Sequence, residues 1–212
     1  MSRFLVNSKI SNVISQQYQN CLYFPKNKTD LIEIIDKLIS KGEYDLNVID
    51  TSAITDMSNL FGDFDVCRMD NIDVSNWNVS NVNNMRKLFF MMQNFNCDLN
   101  KWNVSNVEDM QYMFYGCYNF NNDISDWNVE NVECMAGMFI DCRKFEGKYL
   151  SKWNTKSLYN ATYMFKYCKS LNTNISTWST DCLVHVDHMF DNVDNCNIPD
   201  WYYVIFDKYR FI

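Results

Sequence analysis

The apolar positions between residues 45 and 196 repeat with a period of about 25. Tryptophan recurs at steps of 25, 25, 26 and 25 residues, and a phenylalanine follows each tryptophan twelve residues later. The tryptophans are Trp77, Trp102, Trp127, Trp153 and Trp178, and the phenylalanines are Phe89, Phe114, Phe139, Phe165 and Phe190. A degenerate copy at 49–61 comes first, which indicates six repeats. A unit this short cannot bury its own apolar side, so the period predicts a solenoid of stacked repeats.

The stretch KWNVSNVEDMQYMFYGCYNF, residues 101–120, shows the pattern within one repeat. Polar residues alternate with Trp102 and Val104, which predicts a short parallel strand at about 101–105 with these two side chains in the core. The spacing of three to four between Val107 and Cys117 is typical of a short helix or 3₁₀ turn. The predicted fold class is therefore an α/β repeat solenoid, a leucine-rich-repeat-like right-handed coil with one short parallel strand per repeat.

The two ends of the chain predict caps. Residues 29–42, TDLIEIIDKLISKG, have Asp30 with Glu33 as a capping box and Gly42 as a stop, which predicts a capping helix inside an N-terminal segment 1–44. Residues 197–212 are dense in aromatic and β-branched residues after Pro199, which predicts a strand-like C-terminal cap. Such caps cover the open ends of a solenoid at 45–196, and the C-terminal cap is also a place for self-association.

Composition and charge exclude several classes of protein. Hydrophobic residues make up 47% of the chain and aromatic residues 16%, which excludes a disordered chain. The net charge of −7 comes without a basic stripe, so we expect no nucleic-acid binding. No apolar run is long enough to span a membrane, so we expect no membrane insertion. The N-terminus lacks the apolar core of a secretory signal, and we expect an intracellular, cytoplasmic protein.

The nine cysteines include three that occupy one column of the repeat, three residues after the phenylalanine. These are Cys117, Cys142 and Cys168, and Met92 and Val193 fill the same position in other repeats. A slot that also accepts methionine and valine is apolar, so we expect buried, reduced thiols there rather than a disulfide or a metal site. No Cys-x-x-Cys motif occurs, which argues against a zinc ribbon.

Catalytic chemistry has few candidate residues. The chain's two histidines, His185 and His188, lie near Cys182, but a fourth zinc ligand is missing from this stretch. No glycine-rich phosphate loop is present. The carboxylates of Asp73, Asp98 and Asp123, with Asn174 in the same column, repeat from unit to unit and indicate a turn role. The sequence predicts no catalytic, cofactor-binding or metal-binding residues and no cofactor, and the protein is expected not to be an enzyme.

The stretch NVSNVEDMQYMFYGCYNFNNDISDWNV resembles the BspA-like surface-antigen leucine-rich repeat, in the 25-residue mycoplasma form of unknown function that is also seen in large DNA viruses. The resemblance covers about residues 45–196. It implies a solenoid, with adhesion or protein binding in exported relatives and no enzymatic activity. We expect a non-enzymatic scaffold for protein–protein interaction. The alternatives are a structural component of a virus particle, located in the virion, and a cell-surface adhesion protein, which the missing export signal argues against.

An outward face of the predicted sheet is the candidate surface for the protein partner. We call it the asparagine face, and it consists of Lys101, Asn103, Ser105, Asp126, Asn128, Glu130, Lys152, Asn154 and Lys156. Its charges change from repeat to repeat while the core columns stay nearly constant, and a specific binding surface can use that variety. Two alternatives remain open. The positions are simply solvated, or the asparagines form a structural ladder along the stack.

Overall fold

The computed structural model describes residues 21–65, 69, 71–194 and 196–209. Its helices are α1, Lys28–Ser40, and α2, Asp200–Tyr209, with short 3₁₀ helices at Leu46–Val48 and Leu150–Lys152. The first twenty residues of the predicted N-terminal segment, Cys67, and the last three residues of the predicted C-terminal cap lie outside the described residues. Between α1 and α2 the chain runs through the 25-residue repeats, which stack on one another.

Phenylalanine rings show that equivalent positions of successive repeats lie above one another. The centroids of Phe89 and Phe114 are 5.6 Å apart, and those of Phe114 and Phe139 are also 5.6 Å apart. A second aromatic column packs against the first, with Phe120 only 4.1 Å from Phe114 and Phe145 4.2 Å from Phe139. All these rings are buried, in one core that runs from Leu31 in α1 to Ile205 in α2.

Each repeat tryptophan links its repeat to the one before. The buried indole Nε1–H donates a hydrogen bond to a backbone carbonyl of the preceding repeat in five cases: Trp77 to Leu46 at 2.9 Å, Trp102 to Val74 at 3.0 Å, Trp127 to Leu99 at 3.0 Å, Trp153 to Ile124 at 3.0 Å and Trp178 to Leu150 at 2.8 Å. A buried donor without a partner is costly, and this bond satisfies it. The same residue therefore supplies apolar area and a connection between repeats.

The predicted α/β fold class with one parallel strand per repeat is wrong, and so is the strand at 101–105, since the described residues contain isolated bridges but no strand and no sheet. Trp102 and Val104 are buried as the alternation required, while Lys101 and Asn103 are exposed. The backbone there forms turns instead, because Trp102 N–H donates to the Leu99 carbonyl and Val107 N–H to the Val104 carbonyl. Asn103 Oδ1 also accepts from Ser105 N–H at 3.1 Å. Asparagine and aspartate side chains thus compete for the backbone donors that a strand ladder needs.

For residues 107–117 the sequence predicts a short helix or a 3₁₀ turn, and the helix is wrong. Single turns closed by i+3 to i bonds are present, such as Met113 N–H to the Met110 carbonyl at 3.1 Å. Two residues there, Tyr112 at φ 58° and Gly116 at φ 73°, have the left-handed backbone conformation, which an α-helix of L-residues does not contain. The segment is a run of overlapping turns, and it bonds to neighbouring repeats in parallel. Met110 N–H donates to the Cys134 carbonyl at 2.9 Å, and the pattern continues with Tyr112 to Ala136 and Phe114 to Met138. The backbone ladder between repeats therefore lies on this return side rather than beside the tryptophans.

Helix α1 confirms the predicted N-terminal helical cap and corrects its start. The N-cap is Asn27, whose side chain accepts from Asp30 N–H, so Asp30 is not the cap. At the other end Gly42, at φ 77°, donates to the Ile39 carbonyl, and Glu43 N–H donates to the Leu38 carbonyl at 3.0 Å. This pair of bonds is a Schellman motif, which explains why the helix ends before the glycine.

Helix α2 replaces the predicted strand-like C-terminal cap, so that prediction is wrong. Pro199 directly precedes the helix, a position where its missing N–H costs nothing. The aromatic and β-branched residues that suggested a strand fall at helical spacing, and the buried or half-buried ones are Trp201, Tyr202, Ile205, Phe206 and Tyr209. Packing of this face on the last repeat outweighs the weak strand preference of the individual residues.

Candidate functional site

The predicted asparagine face exists as an outward surface, but its charges are largely paired with one another. All nine residues are exposed or half-buried. Lys152 Nζ lies 2.9 Å from Asp126 Oδ1 in the preceding repeat, and Lys156 Nζ lies 2.9 Å from Glu130 Oε2. The hydrogen bond from Lys156 lowers the pKa of the Glu130 carboxyl. The alternation of charge between repeats is thus accounted for, at least in these two pairs, by contacts within the protein.

Asparagine and aspartate side chains of this part of the repeat bond to backbone. The asparagines of the face act within their own turn, whereas a second set three residues later bonds between repeats. Asn106 Nδ2 donates to the Ser80 carbonyl at 2.7 Å, and Asn131 Nδ2 donates to the Ser105 carbonyl at 2.8 Å. The turn role predicted for the aspartate column is confirmed at Asp123, which accepts from Ser125 N–H at 2.9 Å.

The cysteine column is buried, as predicted. Each thiol donates to the carbonyl of the phenylalanine in the preceding repeat: Cys117 to Phe89 at 3.0 Å, Cys142 to Phe114 at 3.0 Å and Cys168 to Phe139 at 2.9 Å. Burial raises the pKa of all three thiols above the ordinary value. A protonated, enclosed thiol is a poor nucleophile, so the column has a packing role.

The two histidines bind neighbouring side chains rather than each other. His185 Nε2 lies 3.1 Å from the Tyr159 hydroxyl, and His188 Nδ1 lies 2.9 Å from Asp191 Oδ2. Within the described ranges no group of three or more histidine, cysteine or carboxylate side chains is placed to hold a metal ion.

A groove of about 490 Å³ lies on the return side of the stack and crosses four repeats. We define the return face as the outward side chains of residues 86–94, 111–119, 136–144 and 162–170. The groove is lined by Lys87, Phe90, Tyr112, Tyr115, Ile140, Tyr163, Lys166 and Tyr167. Five of these eight residues are aromatic, and the lysines belong to the first and the last of the four repeats.

A glycine shapes the middle of the groove. Gly137 occupies the same column as Tyr112 and Tyr163, two residues before the core phenylalanine, and has a left-handed φ of 61°. The Tyr112 ring lies over it, because a Cβ added at Gly137 would be 2.3 Å from Tyr112 Cε1 and 2.9 Å from Ile140 Cδ1. A side chain at this position would displace the tyrosine, so the glycine gives the Tyr112 ring its place on the groove floor.

Both lysines of the groove lie against aromatic rings. Lys87 Nζ is 5.2 Å from the centroid of Phe90, and Lys166 Nζ is 5.1 Å from Tyr163 and 5.3 Å from Tyr167. Lys166 Nζ also lies 3.4 Å from Asp191 Oδ2. The side chains that surround the opening therefore combine apolar ring faces with positive charge, in contacts of the cation–π type.

The return face has the opposite charge to the protein as a whole. Its four segments contain six basic residues and one acidic residue, a net charge of +5, whereas the chain carries −7. The basic residues are Arg86, Lys87, Arg143, Lys144, Lys166 and Lys169, and the acidic one is Asp141, which binds Arg143. The corresponding segment of the last repeat, 187–194, reverses the sign, with Asp187, Asp191 and Asp194.

Sequence reasoning missed the groove because it assigned a short helix or a 3₁₀ turn to the return side. A signal was present, since Tyr112, Tyr115, Tyr163 and Tyr167 fall between the core columns of the repeat. An aromatic residue outside every core column is not enclosed by the core, and the structure leaves Tyr167 exposed and the other three half-buried. Only the left-handed turns bring these rings side by side, and the period alone does not show them.

The chain belongs to a family described as "Mycoplasma protein of unknown function, DUF285", whose model matches residues 29–150 and 123–204. The match spans the repeats, all but the first residue of α1 and the first half of α2. None of the curated proteins matches the chain, and none of the solved structures does either. Neither helix in the described part of the chain is long and apolar enough to cross a membrane.

Proposed function

We propose that this protein is a non-enzymatic repeat scaffold that binds another protein through the groove of the return face. The observation that carries the proposal is the set of aromatic side chains that lines this groove across four repeats. The stacked core does not need them, because its own rings are buried elsewhere in the repeat. Contiguous aromatic surface that is partly exposed, as here, is typical of protein interaction sites, where tyrosine offers a large apolar area with a polar tip.

The return face supports this role better than the asparagine face. Ion pairs are present on both faces, such as Lys156 with Glu130 and Lys166 with Asp191, but none of the nine residues of the asparagine face is aromatic. On the return face, Lys87 and the tyrosines form an open concave surface. Concave, mainly apolar surfaces with a few polar groups are the usual binding sites of proteins. The resemblance of the repeats to BspA-like surface-antigen repeats agrees with this proposal, because adhesion or protein binding is expected of the exported members of that family.

A protein ligand fits the charges of the groove better than a single-stranded nucleic acid. Aromatic rings beside lysines can stack bases, but affinity for a nucleic acid also needs several cations for the phosphates. Three of the six basic groups already hold carboxylates: Lys166 with Asp191, Arg143 with Asp141 and Lys169 with Asp194. The acidic last repeat and the net charge of −7 would repel a polyanion.

The experiment is affinity capture from the source cells with three baits, followed by quantitative mass spectrometry. The baits are the wild type, a groove variant with Tyr115→Ala and Tyr167→Ala, and a control with Tyr149→Ala and Tyr159→Ala. Tyr149 and Tyr159 are exposed and lie outside the groove. We expect a protein that the wild type and the control capture equally and that the groove variant loses. Equal capture by all three baits would disprove the groove as the binding site.

A further inference from the structure

Helix α2 presents an acidic and apolar face on its outer side. The exposed residues Asp200, Tyr203, Val204 and Asp207 follow the spacing i, i+3, i+4, i+7, which places them on one side of a helix. Tyr203 is 53% exposed and Val204 is 67% exposed, both high values for large apolar side chains. Lys208 lies at the edge of this face, with its ammonium 4.7 Å from the Tyr209 ring centroid.

The outer face of α2 and the groove of the return face match in length and in charge. The helix has ten residues, a length of about 15 Å at about 1.5 Å per residue. The groove runs across three steps between repeats, and the core phenylalanine rings along these steps are 5.6, 5.6 and 5.8 Å apart, which gives a length of about 17 Å. The helix face carries Asp200 and Asp207 with apolar side chains between them, and the groove carries Lys87 and Lys166 with aromatic rings between them. Lys166 lies 3.4 Å from Asp191 Oδ2, so a helix carboxylate bound there competes with Asp191.

The acidic last repeat limits where such a helix can lie. Asp187, Asp191 and Asp194 would repel Asp200 or Asp207 of a bound helix, so the favourable position covers the four repeats of the groove only. This gives the contact a defined register along the stack. Burial of Tyr203 and Val204 against the tyrosine floor would contribute apolar area, and the charges would contribute register and association rate.

One molecule cannot make this contact with itself. Helix α2 covers the end of its own stack, where Trp201 Nε1 donates to the Ile175 carbonyl at 3.2 Å and the Tyr202 ring packs on Phe190 with centroids 5.2 Å apart. The groove opens on the side of the stack, from Lys87 to Tyr167. The outer face of α2 therefore points away from the groove of the same chain, and only another molecule can bring the two surfaces together.

We infer that the groove of the return face binds helix α2 of a second copy of this chain. The inference rests on the proposed function and names the partner of the same groove. The two surfaces are different, so the contact is heterologous. It builds a chain of copies if each molecule gives one helix and receives another, and it closes a dimer if two molecules exchange helices.

The test is sedimentation velocity at increasing protein concentration, in low and in high salt. The groove variant carries Lys87→Glu and Lys166→Glu, and the helix variant carries Asp200→Lys and Asp207→Lys. We expect the wild type to associate, with weaker association in high salt, and each variant alone to associate at least tenfold more weakly. A control with Lys101→Glu and Lys156→Glu has the same change of net charge as the groove variant and should associate like the wild type.

Mixing provides the decisive measurement. The groove variant keeps an intact helix and the helix variant keeps an intact groove, so a mixture of the two should form a heterodimer. A chain with all four reversals should associate again, because its charges are complementary in the opposite sense. If Lys166→Glu disturbs the pair with Asp191, the helix variant still tests the contact, because its groove is unchanged. The inference would be overturned if the wild type stayed monomeric at every concentration, or if both variants associated as strongly as the wild type. In either case, capture of a different protein through Tyr115 and Tyr167 would still support the proposed function.

Discussion

The indole nitrogen of Trp201 lies 3.2 Å from the carbonyl oxygen of Ile175. Trp178 makes the same bond one repeat earlier, to the Leu150 carbonyl at 2.8 Å. Trp201 belongs to α2 rather than to a repeat, and it follows Trp178 by 23 residues instead of about 25. The terminal helix therefore fills the tryptophan position of a further repeat, and it closes the stack by the bond that the repeats use among themselves.

Replacing Trp201 should loosen the last repeat selectively. We expect Trp201→Ala to increase amide hydrogen exchange in residues 178–193, because α2 loses its anchoring ring and its bond to Ile175, while exchange near Phe114 stays unchanged. The measurement is hydrogen exchange followed by mass spectrometry. Tyr203→Ala, on the exposed side of the same helix, is the control and should leave the pattern as in the wild type. Uniform loss of protection throughout the stack would contradict a local capping role.

The two functions of a repeat tryptophan can be separated at Trp102. Trp102→Phe keeps most of the buried apolar area but removes the bond to Val74, whose carbonyl still accepts from Trp77 N–H at 3.1 Å. We expect a loss of about 1 kcal/mol in the free energy of unfolding. Trp102→Ala also leaves a cavity and should cost about 3–5 kcal/mol. Urea denaturation of both variants measures the difference, and near-wild-type stability of Trp102→Ala would contradict a core role for this column.

The sequence predicts the composition of the core well and the backbone path poorly. The 25-residue period identifies the side chains of the interior, from Trp102 to Cys117, and the structure buries them. The strand and helix assignments fail because both rest on the spacing of apolar residues. In this repeat that spacing arises from turns held by Asx side chains and by left-handed residues such as Tyr112. The backbone angle of a tyrosine is set by its neighbours in the stack, and no single repeat specifies it.

The same limit applies to the candidate site: the sequence shows which residues carry a charge or a ring, but not how the stack aligns them. The charges of the asparagine face were visible in the sequence, but their pairing across repeats, as between Lys156 and Glu130, depends on how far the repeats are offset. The tyrosines of the groove were visible too. Their alignment depends on Gly137, whose missing side chain leaves room for a ring from the neighbouring repeat.

A methyl group at Gly137 should damage the groove, and Gly42 provides the matched control. Both glycines have positive φ, 61° at Gly137 and 77° at Gly42, but a Cβ at Gly42 would meet nothing within 4 Å. Gly42→Ala should therefore cost only the conformational penalty, about 1 kcal/mol. Gly137→Ala should cost more, because the new Cβ would overlap Tyr112, and it should also weaken binding in the groove. Equal losses of stability in urea denaturation would contradict the overlap.

The buried cysteines predict a loss of stability in alkaline solution. Burial raises the pKa of the Cys142 thiol in the folded protein, whereas the thiol of the unfolded chain ionises at about pH 8.5. Below that pH the thiol is protonated in both states and has no effect. Above it the unfolded chain releases a proton that the folded chain keeps, so the free energy of unfolding falls as the pH rises, by about 1.4 kcal/mol per pH unit for each such thiol.

The variant Cys142→Ala isolates this contribution from other groups that titrate above pH 9. Its basal cost should be modest, because the Phe114 carbonyl still accepts from Cys117 N–H at 3.0 Å. Urea denaturation from neutral to alkaline pH should show a slope that is shallower by one proton than that of the wild type. Cys182→Ala, which removes an exposed thiol, is the control for the loss of a cysteine and should unfold like the wild type at neutral pH. Identical slopes for Cys142→Ala and the wild type would contradict a raised pKa in the folded state.

Charge reversal on the two faces decides where a partner binds. Reversing Lys101, Glu130 and Lys156 together changes the asparagine face but retains an ion pair, because Glu130 and Lys156 exchange signs across the same 2.9 Å contact. Reversal of Lys87 and Lys166 changes the groove. We expect the first variant to bind the captured partner like the wild type, and the second to bind at least tenfold more weakly, about 1.4 kcal/mol. Both should first be shown to melt like the wild type. Loss of binding in the first variant alone would place the site on the asparagine face, as the sequence predicts, and would exclude the groove.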